Sequence, residues 1–307
     1  MSSSGGTKAV LAALAANLGI AVVKFLAFLL TASSSMLAES IHSVADSGNQ
    51  VLLLIGGRRA RRDADPAHPF GYGRERYIYS FIVAIVLFSV GGLFALYEGY
   101  HKVIHPEPIH SWQWVPVVVL VVSIVLEGNS FRTALSESRA GRRQVGFVGY
   151  IRHAKEPELP VVLLEDTAAL LGLVFALFGV GLTLLTGNGI WDGIGTLAIG
   201  ALLVVVAVVL ATETKSLLLG ESASAVNVRA IEQAVLDGPE VERIIHLRTL
   251  HLGPDELLVA AKIAVHHDDT ASEVARGIDA VEQRIRAAVP IARMIYLEPD
   301  LYRRVQP

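Results

Sequence analysis

Residues 35–57 read SMLAESIHSVADSGNQVLLLIGG. A helix needs about 20 mostly apolar residues to cross a bilayer, and this stretch has the length. It nevertheless carries Glu39, His42, Asp46 and Asn49 in its interior. His42 and Asp46 are four residues apart, so they lie one turn apart on one helix face, with Glu39 and Asn49 near the same stripe. Ionisable groups near the bilayer centre are costly and mark ion paths by default.

Five further apolar windows accompany it, at roughly residues 8–31, 78–101, 112–136, 159–186 and 190–212. The first of these and residues 35–57 are the least apolar. The expected architecture is an all-α bundle of six membrane-spanning helices over residues 1–212, followed by a soluble domain over residues 213–307. The chain is 52% hydrophobic with a mean hydropathy of +0.51, a modest excess because the soluble tail dilutes the spans. The N-terminal MSSSGGTKAV leads into a long apolar run with no evident cleavage site, so it reads as a first span rather than a removable signal.

Loop charge sets the orientation. Arg58, Arg59, Arg61, Arg62, Arg74 and Arg76 follow the second span, and Arg139, Arg142, Arg143, Arg152 and Lys155 follow the fourth. The opposite loops hold little beyond Lys102. The positive-inside rule then places both termini in the cytoplasm, consistent with an even number of spans. The basic run at 58–62 lies beside a helix end and fits topology and anionic-lipid contact rather than nucleic acid. With no cysteine, disulfides, thiolate metal sites and cysteine nucleophiles are excluded. Neither a P-loop nor a GxSxG motif is present, which argues against ATP-driven pumping and against an enzyme. The absence of cysteine and a bias to Ala, Val and Arg hint at a prokaryotic source, hence a plasma membrane.

The tail changes rhythm. NVRAIEQAVLDG has helical spacing, IIHLRTLHLG and ELLVAAKIAVH read as strands across a GPDE turn, ASEVARGIDAVEQRIRAAV repeats apolar residues every three or four positions, and ARMIYLEP closes as a strand. The order α-β-β-α-β is that of a small α+β sandwich.

A second set of acids lies in the fifth span, where Glu165 and Asp166 follow Pro160. Adjacent helical residues point about 100° apart, so these two do not serve one site equally. Imidazole nitrogen with facing carboxylates suits a borderline divalent cation: Zn2+, and also Mn2+, Fe2+, Co2+ or Ni2+. Such ligands must shed protons to bind metal, so metal and proton compete. The alternative is that His42 and Asp46 pair only with each other or with backbone. Lys24, Asn17 and Glu127 are read as structural, Lys24 pairing with an acid or snorkelling and Glu127 lying near the end of the fourth span.

LAESIHSVADSGNQ in the second span, HPFGYGRERY before the third, LLEDTAALLG in the fifth and IHLRTLHLGPDE in the tail together resemble the cation diffusion facilitator family of metal transporters, over nearly the whole chain. LLEDTAALLG and GYGRERY are most similar to its zinc-transporter-9-like branch. The resemblance implies a homodimer sharing a cytoplasmic ferredoxin-like domain. It also implies export of a divalent cation from the cytoplasm in exchange for protons, with no permanent cofactor. The family's central site takes an [H/D]xxxD pair from each of the second and fifth spans. His42 and Asp46 match in full, whereas the fifth span matches at Asp166 and has Val162 at the other position. Glu165, or water, is the substitute. A loop site DxxHxxxH is matched by Asp65 and His68 and then broken by Tyr72, leaving a weak accessory site or a structural loop. Tyr296 and Glu298 stand where relatives bridge metal in the tail with a His and an acid, and strand spacing alone does not unite His246, His251, His266 and His267. The rival reading is a metal-sensing or scaffolding membrane protein with little transport, supported by Val162. An organic-cation transporter ranks last, because Phe175 and Phe178 lie far along the fifth span.

Overall fold

A computed structural model describes residues 4–31, 34–106 and 112–302. The first three residues of the N-terminal segment, and the side chains of Arg142 and Arg143, lie outside the described set. The chain divides into two compact units, Met1–Arg59 with Glu75–Lys215, and Ala60–Arg74 with Ser216–Pro307. The loop after the second helix thus groups with the tail.

Among the described residues, the regular elements of the first unit are all helices. They are α1 (Ser4–Thr31), α2 (Ser34–Arg59), α3 (Glu75–Val86), a π-helical segment (Leu87–Leu93), α4 (Phe94–Ile104), α5 (Trp114–Glu137), α6 (Arg139–His153), α7 (Glu158–Thr186) and α8 (Ile190–Leu219). Elements α3 to α4 run on as one helix, Glu75–Ile104. Among the described residues, four helices are long and apolar enough to cross a membrane: Glu75–Ile104, Trp114–Glu137, Glu158–Thr186 and Ile190–Leu219. Hydropathy therefore supports four of the six expected spans. Both α1 and α2 are helical where expected, and α2 devotes its middle to polar residues.

Helix ends follow local chemistry. Element α7 begins after Pro157 and stops at Gly187, whose φ of 69° is the left-handed turn that glycine adopts without a Cβ penalty, its N–H donating to the Thr183 carbonyl. The basic stretch expected as a loop after the fourth span is instead α6. It contains no proline and is polar, so a search for apolar runs passes over it. A positive φ of 74° at Gly146 bends it.

Leu87, Leu120, Leu163, Leu173 and Leu203 are fully buried at the centre of this unit. Backbones come close: a Cβ added at Gly200 of α8 would lie 2.7 Å from the Leu96 nitrogen. Small residues at such crossings are how helices pack in lipid. Conversely, Val125, Phe178 and Leu185 point outward at 67%, 67% and 84% exposure, an apolar exterior that water does not favour and lipid does.

The second unit has the expected order: α9 (Ala225–Leu236), β1 (Arg243–Gly253), β2 (Glu256–Ala264), α10 (Ala271–Ala288) and β3 (Ala292–Asp300). The sheet order is β1-β2-β3, with β1 and β2 antiparallel and β2 and β3 parallel. A parallel pair needs a crossover, which α10 supplies. Leu257, Val259, Ala261 and Ile263 alternate onto the buried face of β2 and pack with Ile231 and Val235 of α9 and Val281 and Ile285 of α10. A capping box at Thr270 and Glu273 starts α10.

Candidate metal centre

Helix α2 delivers Glu39, His42, Asp46 and Asn49 to the interior, all at 3% exposure or less. The Ser40 hydroxyl donates to the Ala21 carbonyl at 3.2 Å and ties α2 to α1. Beside it, Lys24 Nζ lies 2.7 Å from Glu39 Oε2 and 3.0 Å from Ser43 Oγ, so Lys24 does pair with an acid, across helices. His42 Nε2 sits 3.4 Å from Asp46 Oδ2. That is ion-pair range but no hydrogen bond, and both His42 ring nitrogens and Asp46 Oδ1 are without a hydrogen-bond partner. The π-helical segment walls the ring in: a Cβ at Gly91 would lie 3.7 Å from His42 Nδ1.

Helix α7 presents the facing acids in two directions, as adjacency on a helix requires. Glu165 Oε1 accepts from Asn49 Nδ2 of α2 at 2.8 Å, and Asp166 Oδ2 accepts from Ser130 Oγ of α5 at 3.1 Å. Val162, one turn before Asp166, is buried in the apolar core. Glu165 and Asp166 are within electrostatic reach of Asp46. Among the described residues, however, no three His, Asp or Glu side chains converge as a ready cation cage.

Glu127 requires a correction. It lies in the middle of α5 rather than near its end, at 1% exposure, and neither of its carboxylate oxygens has a hydrogen-bond partner. The signal in the sequence was a lone acid within an otherwise apolar window. Its distance from the next acid along the chain concealed the neighbours that packing gives it.

The accessory residues are spent locally. Asp65 accepts from the Ala67 and His68 backbone N–H groups at 2.9 and 2.7 Å and from the Tyr72 hydroxyl at 2.6 Å. Those bonds, Tyr72 foremost, hold its carboxyl below the usual range. The His68 ring lies 4.4 Å from that of Tyr72, which itself sits under Arg62. The residue that breaks the DxxHxxxH pattern therefore closes the turn. In the tail, His251 is buried with Nδ1 3.2 Å from the Gly253 carbonyl, and His266 contacts the Pro239 carbonyl and Glu242. Tyr296 is exposed, and Glu298 accepts from Lys262.

Residues 10–219 match the cation efflux transmembrane domain, and residues 223–300 match the cation efflux protein cytoplasmic domain. The chain belongs to the cation diffusion facilitator, or cation efflux, family. With its apolar helices, it is an integral membrane protein. It is 35% identical over 261 residues to the human mitochondrial proton-coupled zinc antiporter SLC30A9, covering 84% of this chain and 46% of that one. Metal tolerance protein C4 of Arabidopsis thaliana is 30% identical over 258 residues, covering 83% and 56% respectively. The chain thus resembles the zinc-transporter-9-like branch and spans about half the length of these relatives. A variant of the MamM C-terminal domain, among solved structures, aligns at 21% identity over 25% of this chain and 92% of that one, with a TM-score of 0.24.

Proposed function

We propose that this family member is a secondary transporter that exports a divalent cation, Zn2+ first, from the cytoplasm in exchange for protons. His42, Asp46 and Asp166 bind the cargo, with Glu165 as a further ligand. One observation carries this reading: at membrane depth, both ring nitrogens of His42 and one oxygen of Asp46 lack hydrogen-bond partners, in a unit that also buries Glu165 and Asp166 on α7. Unpaired lone pairs cost free energy in a bundle interior unless a ligand uses them. A nitrogen-and-oxygen donor set suits Zn2+, and the human relative is named as a proton-coupled zinc antiporter. The same atoms take protons when the metal leaves, which couples the two fluxes.

Binding from alternate sides follows from helices rocking about a site near the midplane. Arginines cluster in the loop after α2 and around α6, which by the positive-inside rule supports cytoplasmic termini; a prokaryotic plasma membrane fits the composition. The C-terminal unit joins two copies as a homodimer, and the loop at Asp65 and His68 acts as a structural turn.

Zn2+ uptake into proteoliposomes under an imposed pH gradient tests the reading. Parent protein carries proton-coupled flux, and Asp46→Ala loses it. Equal transport by Asp46→Ala removes the site assignment. A dimer without flux across a metal panel favours the metal-sensing or scaffolding role, for which the buried Val162 is the supporting observation.

A further inference from the structure

We infer that Glu127 is a direct ligand of the transported cation, so that α5 supplies the carboxylate missing from α7 at Val162. This rests on the transport reading above and adds a residue and a helix to it. Glu127 is buried, and neither of its carboxylate oxygens is hydrogen-bonded. Its direction is set by the next turn of the same helix. Ser130 lies three residues on, on the same face, and donates to Asp166 across the α5–α7 contact. Glu127 therefore lies on the face of α5 that meets α7, one turn from the Ser130–Asp166 bond.

Two other accounts of Glu127 are weaker. Lys24 is near enough to act on it electrostatically, but the Lys24 ammonium already donates to Glu39 and Ser43. Helix formation does not need it either, since an apolar side chain would pack at a membrane-depth position without the cost of a bare carboxylate. Glu165, the other substitute for Val162, has one oxygen held by Asn49, whereas both Glu127 oxygens are free. A carboxylate from α5 would also harden the donor set, making Mn2+ and Fe2+ more competitive with Zn2+ than a second imidazole would.

The test is calorimetric titration of the purified full chain with Zn2+ and, separately, Mn2+. Glu127→Gln keeps the shape and removes the anionic oxygens. It should weaken Zn2+ binding by at least about tenfold, the loss typical of even an outer-sphere partner, while the metal-free protein melts no lower than the parent. Glu127→His should raise the preference for Zn2+ over Mn2+, a shift that a merely structural residue would not produce. Zn2+ affinity of Glu127→Gln within about twofold of the parent, with binding lost in Asp46→Ala, overturns the inference and leaves the transport site standing. Unchanged binding in both variants overturns the two together.

Discussion

Lys24 and Glu39 meet 2.7 Å apart in the membrane unit, at 1% and 0% exposure, whereas Lys262 of the C-terminal unit lies 3.0 Å from Glu298 and 2.9 Å from Asp300 at the surface. The chemical groups and the distances are nearly the same, yet the two pairs have opposite meanings. The first unit turns Val125, Phe178 and Leu185 outward and gathers Glu39, His42, Asp46, Glu127, Glu165 and Asp166 inside. The second buries Ile231, Leu257, Val281 and Ile285 and leaves its ion pairs in solvent; His251 is its one buried polar side chain among the described residues. A buried charge stripped of its partner is expensive, while an exposed pair is screened and contributes little. The first unit thus bears the cost of buried charge, and the second does not.

The largest expected effect tests that contrast directly. Lys24→Ala leaves Glu39 buried without its cation and should destabilise the membrane unit by about 3–5 kcal/mol. Adding Glu39→Gln to Lys24→Met should recover most of the loss, because no charge is then stranded. Lys262→Ala should leave unfolding unchanged within error. Thermal unfolding of the detergent-solubilised chain measures all three. If Lys24→Ala is as silent as Lys262→Ala, the interior is wetter than the contrast requires.

Next in size is an apolar deletion in the second unit. Ile285 is fully buried between α10 and the sheet, and Ile285→Ala should cost about 2–5 kcal/mol by lost transfer energy and the cavity left behind. Hydrogen exchange on the intact chain should show faster opening of β2 and α10. Zn2+ affinity should stay unchanged, since the proposed ligands belong to the other unit.

The two units also differed in how far they were legible in the sequence. The α-β-β-α-β order of the tail was readable because each element carries its own signal: alternation along β2, a 3.6-residue rhythm along α10, a Gly-Pro turn between strands. Within the membrane, a helix announces itself by length and hydropathy, and α1 and α2 blur that signal by placing polar residues inside. Helix α6 gives no apolar run at all. The positions of His42 and Asp46 on one face follow from spacing alone, but the partners of Glu165 and Asp166 do not. Asn49 is 116 residues from Glu165 and Ser130 is 36 from Asp166. Helical periodicity fixes where a side chain points on its own helix, not which helix stands opposite, and this is why Glu127 read as an isolated structural acid.

A smaller effect should come from the start of α10. Thr270 accepts from the Glu273 N–H, and Glu273 returns the bond to the Thr270 N–H. Thr270→Ala removes one half of this exchange and should cost about 1 kcal/mol. It should raise exchange in the first turn of α10 and leave β1 unaffected.

The smallest effect, a pH dependence, checks whether surface charge in the second unit is as weakly coupled to stability as the contrast holds. The His266 ring is held above its ordinary value of 6.5, first by the Pro239 carbonyl 2.8 Å from Nε2, and then by Asp269 and Glu242. Its proton is therefore bound more tightly in the folded chain than in the unfolded one. The resulting stabilisation is fully present below pH 6.5 and is lost as pH rises through the raised folded value. Asp65 has the opposite sign: its lowered value gives a contribution present above its ordinary 3.8 and lost as pH falls through the folded value. Unfolding of the parent and of His266→Gln should differ slightly on the acid side of 6.5 and converge on the alkaline side. A large difference, or one that grows with pH, would mean that His266 is no solvent-screened surface group and that the second unit ties its fold to a proton.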